Sequence, residues 1–284
     1  MKSFQLLKLL ALSVFFFLST SRILAQDIND CYKANKVADK VWAIVESAGT
    51  PVNIYVVEGK DSALIIDTGY GKGDLKTYVK TLTKLPLIVV NTHGHGDHSG
   101  NDSQFSKIYA HAGDFDMINA SFKREKRLKT VLPGEIVAPP ALASIKDGYV
   151  FNLGGRKLEV IEVPGHTHGS ICLLDSKNKI LFAGDNTNTI VWLFLRDCYP
   201  LEVYLKSLQK VEKRISEFNT IMPGHNEPLD KSFLIDQIGC VKSILAGTCS
   251  SVHYDNPSNT NGALICKYGA AQVAYSPTNL FIKK

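Results

Sequence analysis

The sequence predicts an α/β fold, on three observations. Its first half passes from short apolar runs broken by Gly-, Pro- and Asp-rich turns to an alternation of strand-like and helix-like segments. Its second half echoes that rhythm. Neither a linker long enough to separate a pair of domains nor a short-period repeat interrupts it. We therefore expect one α/β domain over residues 26–284, preceded by a signal peptide at residues 1–25.

The amino terminus explains some of the charge. The 284 residues are 45% apolar and 21% charged, with ample material for a core. The formal charge is +5, but Lys2, Lys8 and Arg22 stand without acids in the first 25 residues, and without those three it falls to +2. So small a balance argues for neither nucleic acid nor a membrane surface as partner. Lys2 and Lys8 precede or flank the apolar run 9–18, which at about ten residues is short for a spanning helix and suits a signal peptide. Ala25 offers a cleavage site before Gln26-Asp27, so a secreted or periplasmic location is expected; an uncleaved anchor is the alternative. No later segment approaches the roughly 20 apolar residues that span a bilayer, so no stable membrane insertion is expected after cleavage. Export permits disulfides among Cys31, Cys172, Cys198, Cys240, Cys249 and Cys266. Three of these fall between 240 and 266, where a bridge would tie down the C-terminal segment; Cys172, inside an apolar run, reads as a small core residue.

In chain order, residues 40–48, 52–58 and 63–67 read as strands between turns at 49–51 and 59–61. Segment 75–82 has helical spacing, 87–90 and 107–111 read as strands, and 114–119 as a short helix. Residues 121–140 break the rhythm with a basic run and two Pro-containing turns; they read as a solvated insertion or as a lid over a site. Strands follow at 148–153 and 157–163, then a hairpin of 171–174 with 180–182. Residues 201–218 read as a helix, 220–222 as a strand and 232–245 as a helix. After a polar, Gly-rich stretch, 264–268 and 272–275 are expected to pair as edge strands.

Chemistry concentrates where those strands end. Asp67 closes one; His93, His95, Asp97 and His98 crowd the loop after the next; His166, Asp185 and His225 follow later ones. Five of the eight histidines thus sit in Gly-flanked loops after strands, where Gly lets the chain turn sharply. Solvated loop residues do not recur in that way. Neutral imidazole and carboxylate suit zinc, and also iron or manganese. His93 and His95 are two apart and can point the same way from an extended backbone, leaving Asp97 and His98 to face a second ion. Two ions about 3.5–4 Å apart share a water and lower its pKa.

These motifs resemble those of the metallo-β-lactamase-fold hydrolase superfamily. Residues 92–98 match its HxHxDH motif, Gly165-His166-Thr167 its single-histidine motif, Ala183-Gly184-Asp185 its bridging-aspartate motif and Pro223-Gly224-His225 its last histidine; Asp67-Thr68-Gly69 matches its early aspartate. The resemblance implies an αβ/βα four-layer sandwich, with two mixed sheets face to face and the site at one edge. It implies His93, His95 and His166 on one zinc ion, Asp97, His98 and His225 on a second, and Asp185 bridging. Asp67 would accept a hydrogen bond from a ligand imidazole, and Asp97 would also carry a proton to the leaving group. Two departures stand out: His168, where many relatives have Pro, is expected beside the site, and Asn226-Glu227 follows the last histidine, where Gly is common.

The complete Asp-bridged set resembles glyoxalase II, lactonases and related esterases, although the Gly/Ser/Asn-rich tail is unlike the helical domain of glyoxalase II. The expected activity is hydrolysis of an ester, lactone or amide bond in a small-molecule substrate by metal-bound hydroxide. The alternatives are β-lactamase activity, although the common type would have Cys where Asp185 stands, and a non-catalytic binding protein that keeps metals for stability. Trp192 and Phe194 are candidates for the substrate pocket, with His168.

Overall fold

The computed structural model describes residues 31–46, 50–128 and 138–283. The expected signal peptide at residues 1–25 and residues 129–137 of the lid candidate lie outside the described residues. The elements run β1 (Tyr32–Ala38), β2 (Val41–Glu46), β3 (Val52–Glu58), β4 (Ala63–Ile66), α1 (Leu75–Leu82), β5 (Leu87–Val90), β6 (Lys107–His111), α2 (Phe115–Leu128) and β7 (Ala141–Ile145). They continue with β8 (Val150–Asn152), β9 (Lys157–Glu162), β10 (Ile171–Asp175), β11 (Ile180–Gly184), β12 (Ile190–Leu193), α3 (Leu201–Glu212), β13 (Thr220–Pro223), β14 (Leu229–Asp230), α4 (Phe233–Leu245), β15 (Val252–His253), β16 (Leu264–Tyr268) and β17 (Ala271–Tyr275).

The first sheet has the order β1-β2-β3-β4-β5-β6-β7, antiparallel as far as β4 and parallel beyond it. The second has the order β14-β13-β11-β10-β9-β8, in which β9, β11 and β13 run the same way. Successive strand residues face opposite sides, and the burial follows that period. Leu64 and Ile66 join Leu173, Phe182 and Met222 in the layer between the two sheets. Their neighbours Ala63 and Ile65 pack outward against Leu75 and Val79 of α1. Cys172 and Leu174 pack outward against Tyr204 and Leu208 of α3 and Val241 of α4. Strands apolar on both faces thus give four layers, α on β on β on α. The helices match: Leu201, Tyr204, Leu208 and Val211 of α3 recur at three- and four-residue steps and are buried. Asp74 caps α1 by accepting from Thr77 N–H at 2.9 Å.

A third sheet, β12-β17-β16-β15, departs from the two-sheet expectation. β17 does not lie at an edge: it pairs in parallel with β12 and antiparallel with β16. One face of this sheet, with Val191, Leu193, Cys266 and Val273, enters the same core as α4. A disulfide joins Cys249 to Cys266 and ties the tail to it, while Cys172 and Cys240 are buried thiols.

Other elements differ from expectation for local reasons. β1 and β7 lie at the two edges of the first sheet, and their mixed polar faces hid them. The 40–48 strand is Val41–Glu46, with residues 47–48 outside the described residues. The helix expected at 114–119 is α2 and continues to Leu128, so residues 121–128 are helix and not irregular chain. The helix expected to reach 218 ends at Glu212; Arg214 then bonds Glu217 across a 3-10 turn and Glu159 of β9 at 3.0–3.1 Å. Among the described residues no helix is long and apolar enough to cross a membrane.

Candidate metal centre

Five strands deliver the site. Asp67 directly follows β4, the 93–98 loop follows β5, and His166, Asp185 and His225 follow β9, β11 and β13. These strands are parallel within each sheet, so their C-terminal ends meet at one edge of the sandwich. The rims are stitched across: Thr92 O accepts from Ile171 N–H at 2.9 Å, and Gly224 O from Asn53 N–H at 2.8 Å.

The seven expected ligand residues come together there. His93 Nε2 lies 3.1 Å from His95 Nδ1, which lies 3.0 Å from His166 Nε2. Opposite them, Asp97 Oδ2 is 3.4 Å from His225 Nε2 and 3.7 Å from His98 Nε2. Asp185 stands between the groups: its Oδ2 is 3.4 Å from His225 Nε2 and 3.7 Å from His166 Nε2, and its Oδ1 is 3.6 Å from His98 Nε2. Among the described residues, candidate ligand atoms thus form overlapping triads: His93-His95-His166, His93-His98-Asp185 and Asp97-His98-His225.

The partners behind the rings set which nitrogen faces inward. His166 Nδ1 meets the Trp192 carbonyl at 2.8 Å, and His225 Nδ1 meets the Pro51 carbonyl at 2.7 Å. A carbonyl only accepts, so each Nδ1 carries the proton and each Nε2 turns a lone pair inward. His98 Nδ1 meets Asp67 Oδ2 at 2.9 Å, and His95 Nε2 meets Asp197 Oδ2 at 2.6 Å. Asp67 also accepts from the Thr92 hydroxyl at 2.8 Å, which leaves that oxygen to accept from His93 Nδ1 at 3.1 Å. Five lone pairs therefore converge, and the buried atoms His98 Nε2 and Asp185 Oδ1 have no hydrogen-bond partner. Lone pairs at such separations repel unless a cation lies between them. The donor set, neutral imidazoles with carboxylates and supporting acceptors behind, fits two divalent cations.

In the metal-free protein a proton takes the cation's place at part of the site. Burial, then the neighbouring His98 and His95, push His93 well below the usual imidazole range. Burial, then His95, bring His166 down to about 4. Burial works against charge on His98 and His225, but the Asp97 and Asp185 carboxylates outweigh it and raise both, His225 to about 10. Burial likewise opposes the Asp185 carboxylate, yet His225 and His98 hold it well below the usual range. In the first subsite His93 and His166 are thus held toward the neutral form, while in the second the carboxylates favour positive charge on His98 and His225.

Close packing leaves these groups little room. A Cβ on Gly224 would lie 2.3 Å from Asp185 Oδ1 and 2.8 Å from His98 Cε1. Gly224→Ala is expected to weaken metal binding by about tenfold or more, like loss of an outer partner, measured by chelator competition; unchanged affinity would show that the pair tolerates displacement. Asn226 has φ +66°, a left-handed conformation that Asn adopts more readily than most residues, which is why it can stand where Gly is common. Its Nδ2 donates to Asn188 Oδ1 at 2.9 Å.

Three acids had no signal in the sequence. Asp197 backs His95. Asp114, 1% exposed, accepts from Gly94 N–H, Thr167 O–H and Gly169 N–H at 2.9, 2.6 and 2.7 Å, and so ties the first ligand loop to the His166 loop. Glu46 accepts from the Tyr70 and Lys72 N–H groups beyond Asp67. Of the pocket candidates, His168 is exposed and lies against Tyr199 with ring centres 4.2 Å apart, in a groove of about 380 Å³ with His111 and Glu162. Trp192 is half-buried, and its indole N–H donates to Tyr254 at 2.9 Å. Phe194 is 2% exposed and packs with Ala263 and Ala274, so it is core and offers a substrate no surface.

Known proteins resemble this chain in sequence and fold. The sequence profile of the metallo-beta-lactamase superfamily matches residues 48–225. The human acyl-coenzyme A thioesterase MBLAC2 is 30% identical over 227 residues, 68% of this chain and 81% of that protein. The atrochrysone carboxyl ACP thioesterase of Emericella nidulans is 27% identical over 170 residues, 58% of this chain and 49% of that protein. Among solved structures, a metallo-beta-lactamase from Pontibacter korlensis superimposes with a TM-score of 0.57 at 24% identity, over 74% of this chain and 99% of that one, a likeness of fold. With the profile spanning more than half of its residues, this chain belongs to the metallo-beta-lactamase superfamily of hydrolases.

Proposed function

We propose that this protein is an exported dinuclear zinc hydrolase that cleaves thioesters. The observation that carries the metal assignment is Asp185, one carboxylate shared between two groups of imidazoles. In this reading His93, His95 and His166 hold one ion, Asp97, His98 and His225 the other, and Asp185 both. When bound, the ions supply Lewis acidity and a water that ionises near neutral pH.

The chain's own residues do the rest. Asp67 fixes the tautomer of His98 directly and that of His93 through Thr92. The Asp97 side chain is 25% exposed, so it is open to a bound substrate. As a ligand it makes a weak proton donor. A thioester asks least of it, because a thiol with a pKa of about 8.5 leaves as thiolate without a proton, whereas an amine or alkoxide needs one. Two thioesterases among the relatives support the same bond. Export is supported by the residues 1–25 pattern and by the Cys249–Cys266 disulfide, a bond that persists in oxidising compartments.

Zinc-loaded protein is expected to release free thiol from acyl thioesters, to lose that activity with chelator and to recover it with zinc. Oxygen esters, lactones and nitrocefin should turn over at least about tenfold more slowly, for want of protonation of the leaving group. Protein that holds two zinc ions yet leaves every thioester intact would overturn the substrate reading, and faster nitrocefin turnover would replace it with β-lactamase activity.

A further inference from the structure

We infer that Asp197 is a positioning residue for the three-histidine subsite, delivered to it by the third sheet. The inference rests on the metal assignment proposed above and not on the thioester.

His95 differs from the rings around it. It alone of the three turns Nδ1 inward, and its outer Nε2 meets a carboxylate, Asp197 Oδ2, at 2.6 Å. Its two partners in the subsite rest on neutral oxygens: the Thr92 hydroxyl behind His93 and the Trp192 carbonyl behind His166. A carboxylate holds the proton on Nε2 more strongly than a neutral acceptor and makes the opposite nitrogen a better donor to a cation. The second subsite has one such pair, His98 with Asp67. Asp197 gives the first subsite the same device from the other side of the chain, 102 residues away in sequence.

The loop that presents Asp197 is held on both flanks. Before it, β12 pairs with β17, and the Trp192 carbonyl of β12 holds His166. After it, Cys198 Sγ lies 3.1 Å from the His166 carbonyl, and the Cys198 carbonyl accepts from Asn279 Nδ2 at 3.2 Å. The polar C-terminal segment therefore has a role at the site: it frames the outer partners of two of the three imidazoles. Asp197 itself is 29% exposed, so its loss leaves no buried charge behind and the fold should tolerate it.

The experiment compares wild type with Asp197→Ala, Asp197→Asn and Asp197→Glu in the full mature chain. Zinc affinity is read by competition with a chromophoric chelator, the His95 tautomer by ¹⁵N imidazole NMR, and folding by thermal melts of metal-free protein. In Asp197→Ala one of two zinc affinities is expected to fall about 10–100-fold, with loss of the protected Nε2–H signal and an unchanged metal-free melt. Asp197→Glu should restore some of the affinity, and Asp197→Asn, which can still accept through one oxygen, should fall between. Two unchanged affinities with an unchanged His95 signal in Asp197→Ala would overturn the inference. Failure of wild type to bind zinc would instead strike the metal assignment. If Asp197→Ala does not fold, the same comparison is made on Asp197→Asn, where affinity and tautomer equal to wild type likewise overturn it.

Discussion

Asp185→Asn is expected to end hydrolysis while the protein stays folded. The substitution keeps the shape of the side chain but removes its charge and replaces one oxygen with an amide that only donates. Asp185 Oδ2 lies 3.4 Å and 3.7 Å from nitrogens of His225 and His166, which belong to different subsites. No other described carboxylate stands between them in this way. Loss of an outer partner of a metal ligand costs about 10–100-fold, so loss of the shared ligand should cost at least about 100-fold in kcat/KM. Metal content should fall from two ions toward one. Activity within about tenfold of wild type, with two ions retained, would remove Asp185 from the reaction. Loss of fold without a folded, inactive form would leave metal-stabilised binding as the competing account.

Asp175→Ala should give the largest loss of stability, at a distance from the chemistry. Asp175 is fully buried and its Oδ2 lies 2.6 Å from Arg156 Nε, itself 6% exposed. Arg156 Nη1 also donates to the Asp39 carbonyl at 3.1 Å, between β1 and β2, so this guanidinium bolts the second sheet to the first. Removing one member of a buried pair leaves the other charged and uncompensated, at about 3–5 kcal/mol. For a domain of this size that is roughly 6–20 °C in Tm. A melt shifted by less than about 2 °C would show that water reaches the abandoned guanidinium. Replacing both partners with apolar residues should cost far less, because no charge remains inside.

The contrast between these two aspartates shows where the sequence was legible. Asp185 follows a buried strand and a Gly, beside other strand ends with His and Asp, and its chemistry was plain from that setting. Asp175 closes such a strand, but nothing in its neighbourhood names Arg156 as a partner. The strands buried on both faces, β4, β10 and β11, were readable because apolar runs have few other uses. β1 and β7 were not, since an edge strand carries polar residues on its solvent side. The end of α3 was hidden for another reason: residues 213–218 keep helical spacing, and the Arg214 pairs with Glu159 and Glu217 accompany a 3-10 turn there.

What the sequence by itself determined is the type of ligand and its place at a strand end. These follow from periodicity and from residue chemistry, both of which are local; the layers that bring such ends to one edge were implied by the family resemblance. What only the tertiary structure decided is the orientation of each ring and the frame behind it. His166 and His225 are set by the carbonyls of Trp192 and Pro51, which any residue at those positions would present. His95 is set by Asp197, whose role exists only because the C-terminal segment builds a third sheet beside the site. A backbone carbonyl leaves no mark in a sequence, and a lone aspartate on a loop acquires meaning only from what the fold places next to it.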